Sequence, residues 1–363
     1  MDNIEELEKT KAREEKLLQS VETQANGLRT DRLDISFGEI INMYERNELA
    51  ISPAFQRLFR WSDEQKTRFI ESLLLGIPIP PIFVAEDKEG VWELVDGLQR
   101  VSTILSFFGV LKVAEEPDGK NNFMLEQGSL VEELEGLSCD ALPNRLKLSI
   151  KRAVCRVEIL KRSVAKQKYE LFNRLNTGGT PLTEQEIRNC VFRSGTNDNF
   201  HKALEEMSRH EAFVKLVKPT ENQKKTLYDQ ELVLRFLSLY DEGENVKHFL
   251  SVHMDDYMAQ AVNNLPEETF KIFSDTLNFL DPLGDRIFRS QNGGFSASIY
   301  DAVMIGVSKN IQGLKKLSQE QLKEKIDSLK TAEGFRKTIG SLSSSQSRVK
   351  KRVEFAINFF NRC

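Results

Sequence analysis

An α+β fold is predicted for the first half of this 363-residue chain and an all-helical arrangement for the second. Two observations carry that prediction. Strand-sized apolar runs occur near residues 35, 82, 91 and 153, and they are short and bounded by turn residues. From about residue 190 onward, apolar residues instead recur at three- and four-residue spacing, as in Leu232, Phe236 and Leu239 or Val349, Val353, Ile357 and Phe360, the stripe of a packed helix. The length suits roughly two domains. The expected division is an N-terminal helix (1–30), a domain with a small mixed sheet (31–195) and a helical domain (196–363).

Residues 2–30 are charge-rich and free of proline, with Ile4, Leu7, Leu18, Val21, Ala25 and Leu28 on a heptad that Lys11 and Glu14 interrupt. The pattern predicts a helix with two readings, one packed on its own domain and one a short dimerising coiled coil; the polar centre favours the first. Next, ISFGEIINMYERNELA predicts a short strand entering a helix with Ile40, Ile41 and Tyr44 inward. Pro53 breaks that helix, and Gln56, Arg57 and Arg60 then sit among aromatics. Arginine in such company is either stacked at a core edge or aimed at an anion. Ser62 with Gln65 forms a capping-box signature for a helix from Asp63 to Leu75, stopped by Gly76.

The prolines of Ile77–Val84 force an extended chain that feeds a strand at Ile82–Ala85. Asp87–Gly90 is a hairpin-sized turn, and the strand Val91–Val95 returns to the stretch around which the chain is organised, Asp96-Gly97-Leu98-Gln99-Arg100. Here an acid, a glycine and an arginine are delivered to a helix start between two apolar runs. Glycine lets backbone approach a ligand, and helix N-terminal amides beside an arginine suit phosphate. A tight turn with a capping aspartate is the alternative.

Arg145–Lys168 holds nine Lys or Arg against one acid, around a strand in which Cys155, Val157 and Ile159 alternate with Arg156 and Glu158. This is either a track for a phosphate backbone or a solvated rim beside a buried strand; stacking aromatics are absent, which favours the rim. A helix begins at Ser163 and ends in the polar loop Asn173–Thr183, with Asn173, Arg174, Asn176, Thr177, Gly178, Gly179 and Thr180 in one stretch. That density favours a ligand loop over simple C-capping. Thr183 and Glu186 make a second capping box. Of two further loops, the serine-rich one before Arg348, Lys350, Lys351 and Arg352 reads as a helix cap with a solvated basic face, or as a polyanion contact.

Composition removes several classes. Net charge −4 gives no global attraction to nucleic acid or membrane, and no apolar run approaches the ~20 residues of a membrane span. Cys139, Cys155, Cys190 and Cys363 show no metal spacing, and with no signal-like leader they are expected as reduced thiols in a cytoplasm. His201, His210, His248 and His253 form no metal motif and are expected as packing or surface residues, which argues against an HNH-type nuclease centre.

Four stretches in order, Pro53–Arg57 with Trp61, Glu71–Pro81, Val95–Arg100 and Phe172–Leu182, resemble the domain-of-unknown-function family 262, whose hallmark is DGQQR; Leu98 stands where that family has its first glutamine. The family lies in the ParB/sulfiredoxin-like superfamily and includes the N-terminal domain of GmrSD-type modification-dependent restriction enzymes. The resemblance implies a ParB/sulfiredoxin-like N-terminal domain that binds nucleotide, in a protein of prokaryotic antiphage defence that either hydrolyses nucleoside triphosphate with magnesium or manganese or acts as a nucleotide-gated switch. It implies Asp96, Arg100 and Arg57 as catalytic groups, with Asp96 also the metal ligand. Nucleotide contacts would come from Gln56, Arg57, Gly97, Gln99, Arg100 and Thr103, closed from the other side by Asn173, Arg174, Asn176, Thr177, Gly178 and Gly179. Expected partners are the nucleotide, DNA and a separately encoded effector protein, with a homo-oligomer also in view. The alternative function is a non-catalytic DNA-binding or adaptor module, and direct DNA cleavage stands third.

Overall fold

The structure, a computed structural model, describes residues 11, 13–22, 30–52, 55, 58–112, 121–161, 165–175, 182–192 and 198–361. Its contacts divide the chain into two compact units, Met1–Gly179 and Thr180–Cys363. The sequence reading divides it after residue 195.

The first unit is built on a five-stranded mixed sheet. Its strands are β1 (Thr30–Ser36), β2 (Leu49–Ala50), β3 (Ile82–Glu86), β4 (Trp92–Asp96) and β5 (Val154–Lys161), in the order β1-β5-β3-β4-β2. β1 runs antiparallel to β5, β5 parallel to β3, β3 antiparallel to β4 and β4 parallel to β2. Around it lie α1 (Phe37–Glu45), α2 (Asp63–Leu74), α3 (Leu98–Phe107), α4 (Asn144–Arg152) and α5 (Ala165–Leu175). α1 and α2 each pack on α3 and α4, and α5 packs on β4. Ser36 caps α1 by accepting from Glu39 N at 3.2 Å, and the Ser62/Gln65 capping box of α2 is formed. Phe37, Ile70, Val84, Val101, Ile104 and Val157 are fully buried at the centre, the apolar burial that holds a domain together.

Three features depart from the sequence reading. The strand expected to enter α1 at Ile35 starts earlier, at Thr30, since Thr30–Ser36 pairs with β5 along its whole length and its charges find cross-strand partners. Those partners are Arg32 to Glu158 at 3.1 Å, Asp34 to Arg156 at 3.0 Å and Asp31 to Lys161 at 2.6 Å. α4 was not expected, as its Leu146, Leu148 and Ile150 are spaced by two like a strand; only Ile150 is buried. Residues 13–22 are helical, as expected, but the helix does not pack on its domain: every described residue in it is exposed.

Glu71 fixes an otherwise irregular stretch. Only 2 % exposed, its carboxylate accepts from Leu130 N at 2.7 Å, Val131 N at 2.8 Å and Ser129 Oγ at 2.8 Å. A Cβ on Gly128 would lie 2.5 Å from Glu71 Oε1, so the glycine admits the carboxylate. Burial pushes the Glu71 carboxyl up, but the donors to its charged form outweigh that and leave it below its usual range. Glu71→Ala should cost about 3 kcal/mol, since buried N–H groups lose a charged acceptor. A depressed carboxylate stabilises above its unfolded pKa and loses that contribution as pH falls through the folded value. The melting-temperature gap between wild type and Glu71→Gln should therefore narrow on acidification below about pH 4.3. A gap that widens there contradicts the assignment.

The second unit is helical: α6 (Glu184–Val191), α7 (Asn199–Ser208), α8 (Glu211–Val217), α9 (Glu221–Lys225), α10 (Tyr228–Glu242), α11 (Leu250–Ala261), α12 (Glu267–Leu280), α13 (Ala297–Leu314), α14 (Gln319–Thr331), α15 (Glu333–Arg336) and α16 (Gln346–Asn361). The chain turns at Arg209–His210 and again at Leu227, which has φ 57°. α10 lies at the centre, against α7, α11, α12 and α13. A ladder of buried charge crosses it. Arg188 Nε donates to Asp255 at 2.6 Å and its Nη1 lies 3.6 Å from Glu231, while Arg235 grips Asp301 at 2.5 and 2.9 Å. Asp301 also accepts from Arg352 Nη2 at 2.8 Å. Arg352 is thus a core residue at 0 % exposure and not part of a solvated basic face.

Candidate functional site

The Asp96–Arg100 turn is set by strand, glycine and helix in succession. Asp96 ends β4, Gly97 turns the chain at φ 97°, and α3 starts at Leu98. A side chain at Gly97 would be strained twice over, by that φ and by a Cβ 2.5 Å from Ile82 Cγ2. Glycine is required here for β3 to pass close under the turn.

Arg100 reaches back from the first turn of α3. Its Nη2 donates to Asp96 Oδ2 at 2.9 Å and its Nη1 to the Pro80 carbonyl at 2.5 Å. The arginine side chain is 12 % exposed and the aspartate 37 %. Burial pushes the Asp96 carboxyl above its usual range, against the opposing pull of the Arg100 charge and the Gly97 N–H. Two guanidinium corners are engaged out of five N–H donors. Pro80 went unnoticed in the sequence as a site group. The signal was present, since consecutive prolines leave an extended backbone rich in carbonyls and poor in donors.

Gln99 does different work. Its Oε1 accepts from Arg60 N and Trp61 N, each at 3.1 Å, and its Nε2 donates to Leu58 O at 2.6 Å. The amide therefore holds the segment after Arg57 rather than pointing free of the protein. Thr103 is buried, with its hydroxyl donating to Gln99 O at 2.7 Å. Leu98 is 5 % exposed, which makes that position of the motif part of the core.

The flanks of the other two motifs join the same region. Phe55 meets Phe172 edge-on at 5.3 Å, and Lys168 on α5 pairs with Glu93 on β4 at 2.9 Å. Asn173 and Arg174 lie exposed at the end of α5, Arg174 3.8 Å from Glu170. Gln56, Arg57, Asn176, Thr177, Gly178 and Gly179 lie outside the described residues. The structure thus ties together the stretches 58–61, 80 and 96–100, and joins 168–172 to the neighbouring Phe55 and Glu93, while Thr103 faces the core.

Within the basic stretch 145–168, ion pairs neutralise part of the charge, while Arg145 and Arg152 on α4 are exposed. Arg156, Lys161 and Lys168 are ion-paired with Asp34, Asp31 and Glu93, so the solvated-rim reading fits this strand. Among the described residues no three His, Cys, Asp or Glu side chains converge on a metal position. His201 and His253 are buried, and burial pushes His253 below its usual range while its Nε2 lies 3.3 Å from Ser238 O. Cys139, Cys155 and Cys190 are buried and unbridged; burial pushes Cys155 up to about 11. Among the described residues no helix is long and apolar enough to cross a membrane.

Residues 37–193 match the family described as GmrSD restriction endonuclease, N-terminal domain. The matched stretch opens at α1 and closes just beyond α6, and it contains every group of the site described above. No curated protein and no solved structure matches the chain.

Proposed function

We propose, for a chain whose residues 37–193 match the GmrSD restriction endonuclease N-terminal domain, that the Asp96–Arg100 turn binds nucleoside triphosphate. The protein would then act in prokaryotic antiphage defence as a nucleotide-gated switch or hydrolase coupled to DNA or to a separately encoded partner. The observation that carries the reading is an arginine fixed by an acid and a carbonyl at an uncapped helix start. Among the described residues no side chain caps the first amides of α3, whereas α1 and α2 are capped by serines. Free first-turn N–H groups beside a guanidinium suit a phosphate.

In this reading Arg100 holds phosphate oxygens with its remaining N–H groups and stabilises charge that develops during transfer. Gly97 supplies the left-handed turn that presents the first amides of α3 to the phosphate. Gln99 and Thr103 act as positioning residues, the first by fixing the segment that follows Arg57. The resemblance also assigns Arg57 and the polar loop 173–180 to nucleotide contact. Asp96 would orient the attacking water and would be the carboxylate to hold magnesium or manganese. The bound ion would supply charge neutralisation at the phosphates.

The test is phosphate release and nucleotide-dependent thermal shift across a panel of nucleoside triphosphates, with magnesium or manganese and with or without DNA. Release or a shift with at least one nucleotide is expected. Neither, with any, would sink the reading. The non-catalytic DNA-binding alternative loses Arg156, Lys161, Lys168 and Arg352, which are ion-paired or buried, and would rest on exposed basic residues such as Arg145, Lys151 and Arg152.

A further inference from the structure

Two exposed surfaces of the first unit complement each other. One is the N-terminal helix, where Leu17, Leu18 and Val21 are 63, 64 and 57 % exposed. On a helix Glu14 and Glu22 fall on the same face as Leu18, one four residues before and one four after, about 12 Å apart end to end. The other is an open groove of about 940 Å³ between the end of α2 with its following residues and α4. Its walls carry Leu75, Ile77, Leu148 and Val154, which are 46, 44, 40 and 61 % exposed. Arg145 and Arg152 stand on α4 three residues before and four after Leu148, about 10.5 Å apart along the axis. No acid lines this groove.

The two columns, Glu14-Leu18-Glu22 and Arg145-Leu148-Arg152, thus match in order, spacing and opposite charge. Within one chain both faces are exposed at once, so the helix does not fill its own groove. We infer that the N-terminal helix of one copy docks in the α4 groove of a second copy. Leu18 then packs on Leu148, with the carboxylates against the arginines and Leu17 and Val21 toward the remaining apolar wall. Reciprocal exchange of the two helices closes the contact as a two-fold dimer and buries both grooves. The contact needs no nucleotide, and none of the Asp96–Arg100 residues lines the groove.

Sedimentation velocity of the full chain across the micromolar range tests it. Dimers are expected, with association weakening as salt is raised because the ion pairs are at the rim. Leu18→Asp and Leu148→Asp should each weaken association by at least about tenfold, as should Arg145→Glu with Arg152→Glu. Adding Glu14→Arg and Glu22→Arg to the arginine reversals should restore it. Circular dichroism should show all of these variants folded, since every position changed is exposed. A monomer at all concentrations overturns the inference. So does association that Leu18→Asp abolishes while Leu148→Asp and the arginine reversals leave it intact, the mark of the N-terminal helices pairing with each other as a coiled coil.

Discussion

Asp301→Ala is expected to destabilise the helical unit by about 3–5 kcal/mol, the cost of leaving a buried ion-pair partner uncompensated. Asp301 joins Arg235 on α10 to Arg352 on α16, and the side chains of Asp301 and Arg352 are both fully inaccessible. Burial pushes the Arg352 guanidinium down and Asp301 opposes it, while the like charge of Arg235 adds to the push. Without Asp301, two cations face each other across a packed interior. Arg352 keeps only the Thr338 and Ser343 carbonyls at 3.2 and 2.9 Å. Replacing all three charged residues by apolar residues of similar volume should cost far less than the single change, because no charge is then left behind. Chemical denaturation of the three proteins checks both statements. A loss within about 1 kcal/mol for Asp301→Ala, the range of an exposed pair, contradicts the ladder's role.

Arg100→Ala should reduce nucleotide affinity by at least about a hundredfold, since it removes the charged donor aimed at phosphate. The same change leaves Asp96 half-buried without its cation and the Pro80 carbonyl without its donor. Part of the effect is thus structural, and two further variants separate the contributions. Arg100→Lys keeps the charge but not the fork that spans Asp96 and Pro80, so weaker binding with near-normal stability is expected. Asp96→Asn keeps an acceptor for Arg100 and should preserve binding while lowering the turnover rate. A split in which Asp96→Asn weakens binding and spares turnover contradicts the assigned roles.

The parts of this molecule written in local chemistry were legible in the sequence. The capping boxes at Ser62 and Thr183 form as read, and the Asp87 turn forms with its carboxylate accepting from Glu89 and Val91 N–H groups. The Asp96–Arg100 turn sits where strand, glycine and helix signals placed it. What was hidden depends on partners far along the chain. β1 looks too charged for a strand until Glu158, Arg156 and Lys161 are placed beside it. Arg352 looks like surface until Asp301 is found opposite. The same holds at the site, where Gln99 reads as a ligand group but its amide is satisfied by backbone some forty residues earlier. An amide in a motif has the same chemistry for a loop as for a nucleotide, and only the fold decides between them.

The central claim is that the Arg100 turn receives a triphosphate. Isothermal titration of the full chain with a non-hydrolysable nucleoside triphosphate analogue and magnesium, alongside Arg100→Ala of confirmed melting behaviour, tests it most directly. The account predicts saturable binding for the wild type with at least one base and its loss in the folded variant. Equal binding by both proteins, or none by the wild type with any base, would contradict it.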